Sequence, residues 1–136
     1  MKELKKRALV FSISLIIALI FWRLYVFFIY GKDNISLLRA TTELTIHHFH
    51  YGIVFVIIAS LIFLFYKINN YSTSLMGFGL GTILDEFIPS LFLNTIRKEE
   101  LTIYYQSLNW TIILFLSIII ITIIFYFVKK NRLKLA

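Results

Sequence analysis

The sequence predicts an all-α integral membrane protein, a single domain over residues 1–136 with four transmembrane helices in one bundle and both termini on the cytoplasmic side. Three observations predict it. First, 60% of the 136 residues are hydrophobic and the mean hydropathy is +0.85. A water-soluble domain of this size could not hide so much apolar surface. Second, the apolar residues fall into four runs, each near the roughly 20 residues that a bilayer core requires, with none of the two-residue alternation of a membrane β-barrel. Third, the net charge of +7 comes from basic residues beside the ends of these runs. That distribution marks membrane topology rather than a nucleic-acid surface. With no Cys in the chain, disulfide frameworks, zinc knuckles and thiol nucleophiles are excluded.

The first span is expected at about 8–30. Lys2, Lys5, Lys6 and Arg7 precede it, and Arg23 interrupts it. The run is too long for the apolar region of a secretory leader, and no small-x-small cleavage pattern follows it, so it reads as a retained helix. A polar connection leads to the second span, about 45–66. Lys67-Ile68-Asn69-Asn70 forms a tight turn into the third, about 72–93, which holds Gly77, Gly79, Gly81, Asp85, Glu86 and Pro89. The fourth, about 108–128, is almost purely Ile, Leu and Phe, and Lys129, Lys130, Arg132 and Lys134 follow it. With both ends inside, nine basic residues are cytoplasmic (Lys2, Lys5, Lys6, Arg7, Lys67, Lys129, Lys130, Arg132, Lys134). Four are outside (Lys32, Arg39, Arg97, Lys98), and the positive-inside rule selects this orientation. Tyr66, Tyr71 and Tyr126 then mark the inner interface, and Tyr30, Tyr104, Tyr105 and Trp110 the outer one.

All three histidines lie within Thr45-Ile46-His47-His48-Phe49-His50-Tyr51-Gly52, and two adjacent carboxylates, Asp85 and Glu86, lie inside the third apolar run. Counted from the inner edge, Arg23, His50, Asp85 and Glu86 all fall roughly 20–24 Å up a ~30 Å core, in one layer of its outer third. Glu43, His47 and His50 share a helical stripe by their i, i+4, i+7 spacing, and His48 points away from it. Gly77, Gly81 and Asp85 form a second stripe, a GxxxG pair leading to a carboxylate. It favours close helix contact and turns Asp85 into the bundle. Gly52 lets a neighbour's backbone approach. Pro89 deprives the Asp85 carbonyl of its helix partner.

Ionisable groups at this depth are costly and usually functional. Arg23 is expected to pair with one carboxylate. The other needs a proton, a metal ion or a protonated histidine. Imidazole and carboxylate together suit a divalent transition metal (zinc, iron or manganese) held by His47, His50, His48 and Asp85, with Asp85 or Glu86 as catalytic base toward a metal-bound water. The plain alternative is that histidines near a helix end bond only to water or carbonyls. No HExxH motif is present. The glycine run lacks the strand and the Lys-Ser/Thr of a phosphate loop, so helix packing is the better reading. Glu99-Glu100 reads as a solvated pair, Ser12, Ser14, Ser60 and Ser117 as packing residues, and Asn34-Ile35-Ser36 as a glycosylation-type triplet frequent by chance.

His-His-x-His-x-Gly on one span and Gly-x-Gly-x-Gly-x-x-x-Asp-Glu on the next resemble the pattern of small uncharacterised prokaryotic polytopic membrane proteins. The Ile- and Lys-rich composition is similar to that of archaeal proteins. The resemblance covers residues 47–52 and 77–86 and implies a site but no activity.

Three functions compete. The first is a metal-dependent enzyme of the cell membrane acting near the outer leaflet on a lipid or lipid-linked group. The second is an ion or proton conductor using the His and carboxylate groups as a relay. It would need a polar path to the cytoplasm, where only Thr82, Ser60, Ser74 and glycines are available. The third is an assembly subunit whose buried charges only fix helix pairing. Membrane lipid is the expected partner, nucleic acid is not, and a homo-oligomer is compatible. Haem is disfavoured, because a bis-His pair would require a homodimer. The orientation predicts that a cysteine placed at Asn34 reacts with a membrane-impermeant label from outside and one at Asn70 does not. The reverse labelling would overturn both the topology and the depth argument.

Overall fold

The computed structural model describes residues 2–29, 48–91 and 104–135. They form α1 (Lys2–Ile29), α2 (His48–Phe65), α3 (Asn70–Leu91) and α4 (Leu108–Leu135), and one helical turn at 104–106 precedes α4. The helices are close to those expected, except that α1 begins six residues earlier and α4 continues through the basic tail. Exposed Lys and Arg are good helix formers and need no apolar neighbour. α1, α2 and α4 are long and apolar enough to cross a membrane. Their outward faces carry large exposed side chains such as Phe27, Phe28, Leu64, Phe65 and Phe125. A surface this apolar suits lipid and not water, so the chain reads as a multi-pass membrane protein.

The helix α3 differs from the others. Its 22 residues span about 33 Å, yet it is not among the helices apolar enough to count as candidate spans. It sits in the middle: α1 and α2 pack along it, and α4 lies against α1 and α3. Protein rather than lipid covers much of α3, so it can carry glycines, threonines and two carboxylates. The core where α1, α3 and α4 meet is formed by Leu15, Leu84 and Phe115, with Phe11, Leu19, Leu80, Leu114 and Ile118 packed around them.

The glycines set the spacing. A Cβ on Gly77 would lie 2.5 Å from the Phe11 carbonyl oxygen, and one on Gly81 would lie 2.7 Å from that of Leu15. These residues, four apart, seat α3 on the backbone of α1. Gly79, half a turn away, faces α2: a Cβ there would lie 2.8 Å from Phe55 Cβ and 3.0 Å from the Gly52 oxygen. The GxGxG run thus thins α3 on two opposite sides. The GxxxG expectation captured only the first.

The turn at Tyr66–Asn69 is closed by a cap on α3. Asn69 Oδ1 accepts the Ser72 N–H at 2.9 Å, and Ser72 Oγ accepts the Asn69 N–H at 3.2 Å, the reciprocal pattern of a capping box. Pro89, inside α3, cannot donate to the Asp85 carbonyl. That carbonyl instead receives Arg23 Nη2 at 3.4 Å.

Close approach at Gly81 makes a direct test. Gly81→Ala places a methyl against the Leu15 backbone, which cannot rotate aside. The expected loss is about 1–3 kcal/mol, read from denaturant unfolding in micelles. An unchanged midpoint would show that α1 and α3 are not in backbone contact there.

Candidate functional site

A polar cluster forms where the C-terminal half of α1, the start of α2, the last turns of α3 and the turn before α4 converge. Asp85 is fully buried and Glu86 is 5% exposed. Arg23 Nε donates to Asp85 Oδ1 at 2.7 Å. Its Nη1 donates to the Tyr104 carbonyl at 2.6 Å, and Nη2 to Thr111 Oγ1 at 3.2 Å. The guanidinium also lies over the Tyr104 ring, 3.8 Å from its centroid. Most of its N–H donors therefore have acceptors, as a buried cation requires, and they tie α1 to α3 and α4 together.

The remaining Asp85 oxygen, Oδ2, accepts the Tyr104 hydroxyl and lies 3.1 Å from His48 Nε2. The other ring nitrogen, His48 Nδ1, is 3.4 Å from Glu86 Oε2. That same oxygen accepts the Phe49 backbone N–H, in the first turn of α2, at 2.8 Å. A carboxylate there is doubly placed: it accepts a hydrogen bond and faces the positive end of the helix dipole. Trp22 holds the imidazole from the side. Its ring stacks on His48 at 4.6 Å and 16°, and its Nε1 donates to Thr82 Oγ1 at 2.9 Å. Thr82 in turn donates to the Phe78 carbonyl. Tyr104 precedes the apolar span of α4. Burial, and then the Asp85 carboxylate, push its phenol pKa up, so it acts as a neutral donor.

The sequence-derived residues therefore divide. Arg23, Asp85, Glu86 and His48 come together. His50 is exposed on the other side of α2, beside the Phe49 ring. His47 and Glu43 lie outside the described residues. The rotation of α2 is set by its small residues: Gly52 and Ala59 are its buried positions, and His48, four residues before Gly52, shares their face. That spacing was readable, and it selects His48 over His50. Trp22, Thr82, Thr111 and Tyr104 also belong to the cluster although the sequence did not mark them as site residues. Their polar atoms sit on residues that otherwise read as packing or interfacial.

Among the described residues, no group of three His, Cys, Asp or Glu is placed to hold a metal ion. What the arrangement offers chemically is an imidazole between two carboxyl groups, with the Arg23 guanidinium against Asp85. Compared with family models, curated proteins and solved structures, the chain matches none.

The pairing can be tested by rescue. Arg23→Leu strands a buried carboxylate and is expected to cost about 3–5 kcal/mol. Adding Asp85→Asn should recover much of that loss, and adding Glu86→Gln should recover less, because Glu86 makes no bond to Arg23. Equal behaviour of the two double mutants in thermal unfolding would contradict the geometry.

Proposed function

We propose that this chain is a four-span membrane protein, both ends cytoplasmic, whose His48–Glu86 pair is a proton-exchanging centre on the outer side of the bilayer. In this reading it acts as an acid–base enzyme on the headgroup of a lipid or lipid-linked molecule. The observation that carries it is that both ring nitrogens of His48 face carboxylate oxygens, at 3.1 and 3.4 Å. Nε2 is within hydrogen-bond reach of Asp85 Oδ2 and Nδ1 within ion-pair distance of Glu86 Oε2, so a doubly protonated ring would be held by both carboxylates. The Trp22 face against the ring suits an imidazolium as well. Arg23, Asp85 and Tyr104 form the fixed frame, and His48 and Glu86 the exchangeable part.

The layout favours catalysis at one surface over conduction. Deeper in the bundle, Ser14 and Ser74 bond to each other at 2.7 Å, and Trp22 bonds to Thr82. Between these pairs Leu15 and Ala18 are fully buried against Gly81. Polar groups that satisfy one another across an apolar plug make a poor proton path.

A divalent metal is the second reading, with His47, which lies outside the described residues, completing a ligand set that His48, Asp85 and Glu86 do not form by themselves. What supports it is that His48 lies against both carboxylates while His47 adjoins it in sequence.

Solid-state NMR of nitrogen-labelled histidine in nanodiscs, assigned with His48→Gln, separates the two. Two protonated ring nitrogens on His48 at neutral pH are expected. A singly protonated ring would refute the imidazolium. About one metal ion per chain in protein purified without a His tag, lost in both His48→Ala and Glu86→Ala, would replace the proton reading with the metal one. Catalysis is tested with proteoliposomes of the source organism's lipids in heavy-oxygen water. Label should enter a lipid headgroup with wild-type protein and not with Glu86→Gln. No Glu86-dependent change in any lipid would sink the hydrolytic form of the proposal.

A further inference from the structure

At the opposite end of the bundle, a cleft of about 380 Å³ opens between the first turns of α1 and the turn joining α2 to α3. Glu3, Arg7, Lys67, Ile68, Asn69 and Asn70 line it. Two cations face one carboxylate, and Asn70 adds a side-chain amide. Asn69 is partly committed, because its Oδ1 caps α3. Arg7 has an unusual feature: its Nε is buried and, among the described residues, has no hydrogen-bond partner. A guanidinium N–H withdrawn from water without an acceptor is costly, and an anion in the cleft that drew the guanidinium round would relieve that cost.

We propose that this cleft binds a phosphate group, with Arg7 as the fork that grips it and Lys67 as a second cation. Arg presents paired N–H donors that match phosphate oxygens, while Lys acts as a point charge. Two positions in the fold favour a lipid phosphate over a free one. The cleft lies at the end of the bundle where the exposed aromatic rings of Phe65, Tyr66 and Tyr71 cluster, the signature of a membrane–water interface. Ile68 adds an apolar wall beside the charges. A lipid headgroup held there would have its chains alongside α1 and α3. The site is independent of the His48 cluster, so either can fail without the other.

The test uses the full chain, delipidated in detergent and titrated with short-chain phosphatidic acid or with inorganic phosphate. Binding is read by thermal shift and by native mass spectrometry. Phosphatidic acid is expected to bind at one copy per chain. Arg7→Gln should weaken it roughly tenfold and Lys67→Gln about threefold. Arg132→Gln removes a cation of the same expected side from α4 and should leave binding within about twofold. Glu3→Gln removes the one carboxylate of the cleft and should tighten binding, a gain that misfolding cannot mimic. Inorganic phosphate binding as tightly as the lipid, with the same Arg7 dependence, would keep the site and assign it to a free anion. Equal losses in Arg7→Gln and Arg132→Gln, with Glu3→Gln unchanged, would overturn the proposal in favour of diffuse charge attraction. Absence of binding by both probes would overturn it outright.

Discussion

A largely buried guanidinium is the constraint around which the His48 end of this molecule is arranged. Arg23 sits in an apolar helix and could not remain there unpaired. Its donors reach Asp85, the Asp85 carbonyl, the Tyr104 carbonyl and Thr111. One side chain thus fixes the position of three helical segments. Pro89 belongs to the same arrangement. By releasing a carbonyl in the last turns of α3, it creates an acceptor where the guanidinium needs one. Asp85 is in turn held by Arg23, Tyr104 and His48, and Glu86 by the Phe49 N–H and the His48 ring.

Much of this was legible in the residues. Run length and composition gave the helices, and equal depth put Arg23 and Asp85 in one layer, where they meet at 2.7 Å. The Gly77–Gly81 spacing pointed to the α1 contact. The facing of α2 was harder. A helix that is apolar all round has no strong face, and its rotation depends on the neighbour it meets. Ranking by histidine spacing favoured His47 and His50, whereas the packing signal lay in Gly52 and Ala59. Trp22 and Tyr104 escaped notice for a related reason. Aromatic residues near a membrane edge are expected as anchors, and nothing in the order of residues shows that an indole stacks on an imidazole across two helices.

The polarity of α3 follows from its central place. Its neighbours carry the lipid-facing surface, and α3 carries the groups that lipid would not tolerate. Threonine, serine and glycine are suited to that role: Thr82 bonds both to its own helix and to Trp22, Ser74 meets Ser14, and the glycines let backbones touch. The two ends of the bundle differ in character. The end that holds Arg23 and Asp85 is closed by paired charges. The other end has an open basic cleft with a guanidinium nitrogen that no acceptor among the described residues meets.

The two-sided thinning of α3 also bears on what changes the gene could tolerate. Successive residues of a helix point about 100° apart, and Asp85 and Glu86 use that step to address different neighbours, α1 and the start of α2. Their aim is indexed by Gly77, Gly79 and Gly81, which lock α3 against α1 and α2 one turn earlier. Inserting or deleting a single codon between Gly81 and Asp85 would leave the glycines seated and swing both carboxylates off their partners. Length in this segment is therefore as constrained as residue identity, while the outward faces of α2 and α4 need only stay apolar.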